Sequence, residues 1–200
     1  MNVKNLSLAG LIICFTYFII TAALIITQLP IWVTAMEVVT LLAGLYMVLF
    51  TACLPFSENK KMFKYLALIA ASSCTLLTSL AHTVSLAVTT PLINSGIDVP
   101  EYLQIGKWPS VEMAVDYLGW GLFMGLSFLL SACALDKNRE NRFLDISLKL
   151  CGLLCLIGFL GAVIVNENLW YAAPLGYGIG TAVICGQMLV YKPGTKIRSL

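Results

Sequence analysis

Residues Trp108–Phe123 read WPSVEMAVDYLGWGLF, and this stretch decides how the chain is read. Trp-Pro-Ser is a helix start. Ser110 makes a good N-cap, because its hydroxyl accepts from a backbone N–H with no partner inside the helix. The apolar run that follows reaches Ala134, long enough for the about 20 residues that cross a bilayer's hydrocarbon. Yet the run carries two acids. Glu112 falls in the first turn, where the positive end of the helix dipole favours it. Asp116 lies six residues past the cap, roughly 9 Å down the axis at 1.5 Å per residue, and capping does not explain it. A charge at the centre of a membrane helix costs at least ~2.5 kcal/mol on insertion scales. Asp116 is therefore expected to face the bundle interior or a wet cavity. The alternative is a helix that starts deeper in the chain, leaving Asp116 among headgroups.

The rest of the chain has the same character. It is 200 residues long, 60% hydrophobic and 11% charged, whereas a soluble domain carries about 25% charged residues. So much apolar surface has nowhere to hide in water. Six segments are long and apolar enough to span: about 8–27, 34–54, 65–89, 111–134, 146–165 and 170–191. The expected fold is all-α: a polytopic integral membrane protein with six transmembrane helices in one bundle, residues 1–200 forming a single domain. Only Lys4 precedes the first segment. Its apolar run exceeds the 7–15 residues of a signal-peptide core, so it is expected to stay as a helix.

Charge fixes an orientation. If six helices alternate, Lys4, Lys60, Lys61, Lys64, Lys137, Arg139, Arg142, Lys149, Lys192, Lys196 and Arg198 share one side, and Lys107 alone takes the other. Lysine and arginine stay on the cytoplasmic side. Both termini are thus expected in the cytoplasm, with the protein in the cell membrane. Trp32, Trp108 and Trp170 then fall at the outer interface, where amphipathic rings settle.

Several classes drop out. A net charge of +2 offers nothing to nucleic acid. No Gly-rich phosphate loop, Cys-x-x-Cys pair or His-Glu-x-x-His motif occurs, so no cofactor is expected. The seven cysteines (Cys14, Cys53, Cys74, Cys133, Cys151, Cys155, Cys185) all lie in or beside apolar runs. They read as small packing residues rather than a disulfide framework. Cys151 and Cys155 share a helix face, but no further ligand is near in sequence, and no metal site is expected. The partner this composition does require is the lipid bilayer.

A faint internal repeat appears at an offset of 77 residues. Gly44–Met47 (GLYM) aligns with Gly121–Met124 (GLFM), and Met36, Lys60 and Cys74 align with Met113, Lys137 and Cys151. Helices two and three would then be a hairpin related to helices four and five, repeated in parallel. Chance similarity among Leu-rich helices is the other reading.

The intramembrane polar residues gather by depth. The third helix places Ser72, Thr75, Ser79, His82 and Ser85 or Thr89 on one face. Such hydroxyls commonly join helices. His82, the single histidine, lies about seven residues from the outer end, roughly 10 Å deep. Glu37 opens the second helix. On the fourth, Glu112, Asp116, Trp120 and Phe123 share a stripe, with Tyr117 beside Asp116. Glu37, His82, Glu112 and Asp116 thus occupy one outer layer. Such an array suits a proton relay, a cation site or a polar ligand. The expected ligand-binding set is His82, Asp116, Glu112, Glu37, Trp120 and Tyr117. The loop of about twenty residues between helices three and four, with Gly96, Pro100 and Pro109, would lie over it as a binding loop.

Trp108-Pro109-Ser110 followed by Asp116-Tyr117-Leu118-Gly119-Trp120-Gly121 resembles small bacterial multi-pass membrane proteins of unassigned function. The resemblance runs on to Leu175-Gly176-Tyr177 and implies no activity. In size and layout the chain is also similar to the substrate-binding membrane subunits of energy-coupling vitamin transporters. Its first helix lacks the Ala-x-x-x-Ala stripe with which those subunits dock. Three functions stay open. One is a protein that binds or transports a small polar or cationic solute in an outer pocket. Another is a non-catalytic protein acting through protein partners. Ranked lowest, for want of a nucleophile motif, is an intramembrane lipid-modifying enzyme using His82 and Asp116 as acid and base.

Overall fold

The computed structural model describes residues 3–136 and 141–190. Among them, six helices are long and apolar enough to cross a membrane: α1 (Val3–Thr27), α2 (Pro30–Ala52), α3 (Glu58–Asn94), α4 (Val111–Ala134), α5 (Arg142–Val163) and α6 (Asn168–Val190). The described residues form no strand beyond one isolated bridge, Phe56 to Leu135. The protein is an all-α, multi-pass bundle. Of the cations used above to orient the chain, Lys137, Arg139, Lys192, Lys196 and Arg198 lie outside the described residues.

The helix ends follow local chemistry. Pro30 opens α2 at the first turn, where its missing N–H is no loss. The Ser110 hydroxyl accepts from the Met113 N–H at 3.1 Å and starts α4 as expected. The third helix departs most from the sequence expectation of 65–89. It runs from Glu58 to Asn94, straight through Pro91. A proline ring clashes with the carbonyl four residues back in a regular helix. Here a wide π turn, Ser85–Thr89, directly precedes it and carries the helix past the obstacle. That extension takes four residues, Pro91 to Asn94, out of the connecting loop. The first and fifth helices also begin earlier than 8 and 146, at Val3 and Arg142.

The bundle has two ends. At one, the α2–α3 and α4–α5 connections meet: the Ser57 N–H donates to the Ala134 carbonyl at 2.9 Å, and Lys60 Nζ to the Leu135 carbonyl at 2.7 Å. The apolar core fills the half above this end, with Phe50, Met124, Phe128, Leu148, Ile184 and Met188 buried together. Glycines bring α4, α5 and α6 close. Gly125 lies against Gly152, and a Cβ on Gly176 would meet the Cys151 carbonyl at 2.7 Å. Small residues at helix interfaces serve this purpose in membranes. The offset-related Gly44 and Gly121 each face the second helix of their own hairpin, at Thr75 and at Phe159. A strict repeat would place residue 152 there, so the hairpins differ in register.

At the other end, the 95–110 loop folds back on the bundle. Gln104 Nε2 donates to the Val99 carbonyl at 2.5 Å, and Lys107 pairs with Glu101 at 3.3 Å. Trp108 and Trp170 pack edge to face at 5.2 Å, with Tyr117 stacked on Trp170 at 5.9 Å. These tryptophans join the loop, α4 and α6.

Candidate functional site

One face of α3 carries Thr89, Ser85 and His82 toward the middle of the bundle, and each meets a carboxylate. The Thr89 hydroxyl donates to Glu112 Oε1 at 2.8 Å. The Ser85 hydroxyl donates to Glu37 Oε1 in a short contact. His82 Nε2 stands 3.4 Å from Asp116 Oδ1. The result is a three-rung ladder joining α2, α3 and α4. Its spacing follows from sequence: residues 82, 85 and 89 share a helix face, as do 112 and 116. Farther along the same helix, Thr75 donates to the Gly44 carbonyl at 2.7 Å, so that hydroxyl serves helix packing.

The ladder is buried. Glu37 is 0% exposed, Glu112 5% and His82 4%, while the Asp116 side chain keeps 15%. Asp116 is the most open because it and His82 border a cavity of about 670 Å³. That is within the range of small-molecule sites, ~300–1,000 Å³. The cavity lies between α1, α2, α4 and α6, with Ile105, Gly106 and Lys107 of the loop in its wall. Gly106 has φ +79°, a left-handed conformation that glycine adopts freely.

Of the six residues expected at the site, His82, Asp116, Trp120 and Tyr117 line the cavity. Glu37 and Glu112 belong to the ladder but are not among the lining residues. Their first oxygens are held by Ser85 and Thr89, while Glu37 Oε2 and Glu112 Oε2 are buried without a hydrogen-bond partner. Among the described residues no group of three or more His, Cys, Asp or Glu side chains is placed to hold a metal ion.

Sequence reasoning missed Tyr17, Tyr46, Tyr177 and Thr181, which also line the cavity. A signal for Tyr177 was present. Leu118-Gly119-Trp120-Gly121 and Leu175-Gly176-Tyr177-Gly178 are the same Leu-Gly-aromatic-Gly run on α4 and α6. Both lie in wide π turns, at Leu118–Phe123 and Leu175–Ile179. Their aromatic rings meet with centroids 4.8 Å apart. Glycines before each ring let the helices approach: a Cβ on Gly119 would touch Thr78, and one on Gly176 would touch Cys155. Wide turns of this kind recur at functional sites. Among the described residues, all three flank the ladder or the cavity.

Trp120 Nε1, Thr181 Oγ1, both ring nitrogens of His82 and Asp116 Oδ1 are buried polar atoms without a hydrogen-bond partner. Buried polar groups ordinarily find a hydrogen bond, so the residues around the cavity hold a cluster of unmet polar atoms. Compared with protein-family models, curated proteins and solved structures, the chain matches none.

Proposed function

We propose that this protein binds, and in one version carries, a small polar or cationic solute in the cavity beside His82 and Asp116. The observation behind this reading is the contact of His82 with Asp116, 3.4 Å apart in the wall of a 670 Å³ cavity within a membrane-spanning bundle. Intramembrane acids and histidines are costly and mark ligand or ion paths. A core that only needed packing would hold leucine at these positions. Trp120 and Tyr117 would bound the solute, and Glu37 and Glu112, held by Ser85 and Thr89, would tie α2 and α4 to α3 behind it. The 95–110 loop would cover the mouth. We further propose that both termini face the cytoplasm, so that the cavity opens outward. Lys60, Lys61, Lys64, Arg142 and Lys149 stand at one end of the bundle, and Lys107 at the other, in accord with the positive-inside bias.

Native mass spectrometry of protein released from lipid nanodiscs tests the reading. Wild type is expected to carry a small-molecule adduct at one copy per chain, and Asp116→Asn to lose it. An adduct-free wild type, or an adduct retained in Asp116→Asn, would count against a site at Asp116.

A further inference from the structure

The shape and charge of the cavity narrow the ligand further, on the premise that His82 and Asp116 form a binding site. Its length comes first. The lining residues of α1 extend from Gly10 to Ile25, roughly 22 Å along the helix at 1.5 Å per residue. Those of α2 extend from Val33 to Met47, about 21 Å. The histidine–aspartate pair therefore occupies one level of a tall slot. The Ser85–Glu37 and Thr75–Gly44 contacts set His82 level with about Thr40, and from Thr40 down to Met47 the α2 wall runs on for about 10 Å. Ile13, Ala43 and Met47 line that part, and Gly10 and Tyr46 close its far end. Gly10 matters because a Cβ there would overlap the Tyr46 hydroxyl.

Charge comes second. Among the described lining residues Lys107 is the one lysine or arginine, at the mouth and already paired with Glu101. The Asp116 carboxylate is in the wall. An anionic head would meet like charge in a low-dielectric setting, where such repulsion is strong. A cationic head would meet Asp116 among the rings of Trp120, Tyr17 and Tyr177, and aromatic rings attract ammonium groups.

We infer that the cavity takes an elongated lipophilic cation: an amine or quaternary ammonium head held at Asp116 among the aromatic rings, with an apolar chain descending between α1 and α2 toward Gly10.

The test uses the full chain in neutral phosphatidylcholine nanodiscs, with binding read as the saturable excess over empty nanodiscs. Three probes separate the two parts of the inference: dodecyltrimethylammonium, tetramethylammonium and dodecanoate. Dodecyltrimethylammonium is expected to saturate at one per chain. Tetramethylammonium should bind at least about tenfold more weakly, ~1.4 kcal/mol, and dodecanoate should show no saturable excess. Asp116→Asn should weaken dodecyltrimethylammonium about tenfold. Ala43→Leu, which narrows the slot below the head, should weaken dodecyltrimethylammonium while sparing tetramethylammonium. Equal binding of tetramethylammonium and its dodecyl relative would overturn the elongated ligand and leave a polar pocket standing. Equal binding of dodecanoate would overturn the cation. No saturable excess for any probe, with a wild-type adduct still seen by mass spectrometry, would overturn this inference while sparing the site.

Discussion

The α3–α6 side and the α1 side of this bundle are built differently. The most apolar stretch of α4 is 61% buried, and that of α1 is 11% buried. On the α4–α5–α6 side, Gly125, Gly152 and Gly176 bring backbones into contact and leave no room for a methyl group. The first helix packs mainly against α2 and α6. It presents Phe15, Ile19 and Ile26 outward, while Tyr17, Phe18 and Ile25 line the cavity. One side is a rigid frame that fixes the ladder, and the other is a wall drawn across a slot. Membrane helices lack a hydrophobic drive to pack together, because lipid tails are as apolar as leucine. A gap beside α1 therefore costs less here than it would in water, and a site can stand there without weakening the frame.

The largest expected effect lies in the frame. Gly176→Val places atoms within reach of the Cys151 carbonyl and the Cys155 backbone, so α5 and α6 must separate. A loss of about 3 kcal/mol, or of folded protein altogether, is expected. Melting in detergent and size-exclusion profiles would read it. Phe18→Ala in the α1 wall should cost only about 1 kcal/mol in the same assay. Equal losses at both sites would erase the contrast.

Within the ladder, Ser85→Ala leaves Glu37, 0% exposed, without the hydroxyl that holds it. A loss of about 2 kcal/mol is expected, read as a lower melting temperature. The conservative Ser85→Thr should restore most of it.

The smallest effects are in backbone strain and have opposite signs. Val165, just past the cap of α5, has φ +56°, where a β-branched residue is strained and glycine is the usual helix terminator. Val165→Gly is expected to stabilise by about 1 kcal/mol. Gly106 has φ +79° with nothing within 4 Å of a built Cβ. Gly106→Ala should therefore destabilise by about 1 kcal/mol through the backbone alone. Thermal shift of each variant checks both.

How much was legible follows the range of the interactions. Spans were legible because they depend on runs of apolar residues, and the shared face of His82, Ser85 and Thr89 because helical periodicity is local. Asp116 was legible as an anomaly, too deep for a cap. The passage of α3 through Pro91 was not, because it depends on a π turn that pattern reading does not register. Nor was the division of labour among the carboxylates. Whether Glu37 meets Ser85 or borders the cavity depends on how three helices rotate against one another. Tyr17 and Thr181 reach the cavity from helices distant in sequence, with no motif to mark them. Tyr177 was half legible, since its Leu-Gly-aromatic-Gly run repeats that of Trp120.

The central claim is that His82 and Asp116 meet in the wall of a ligand cavity, and the chain's single histidine allows a direct measurement. Protein labelled with ¹⁵N-histidine in nanodiscs would give one ring to follow by solid-state NMR. The account predicts that the ring nitrogens shift on Asp116→Asn and, in wild type, on addition of dodecyltrimethylammonium. A ring spectrum indifferent to both would contradict it: the pair would not exist, and the cavity would be a packing gap beside α1.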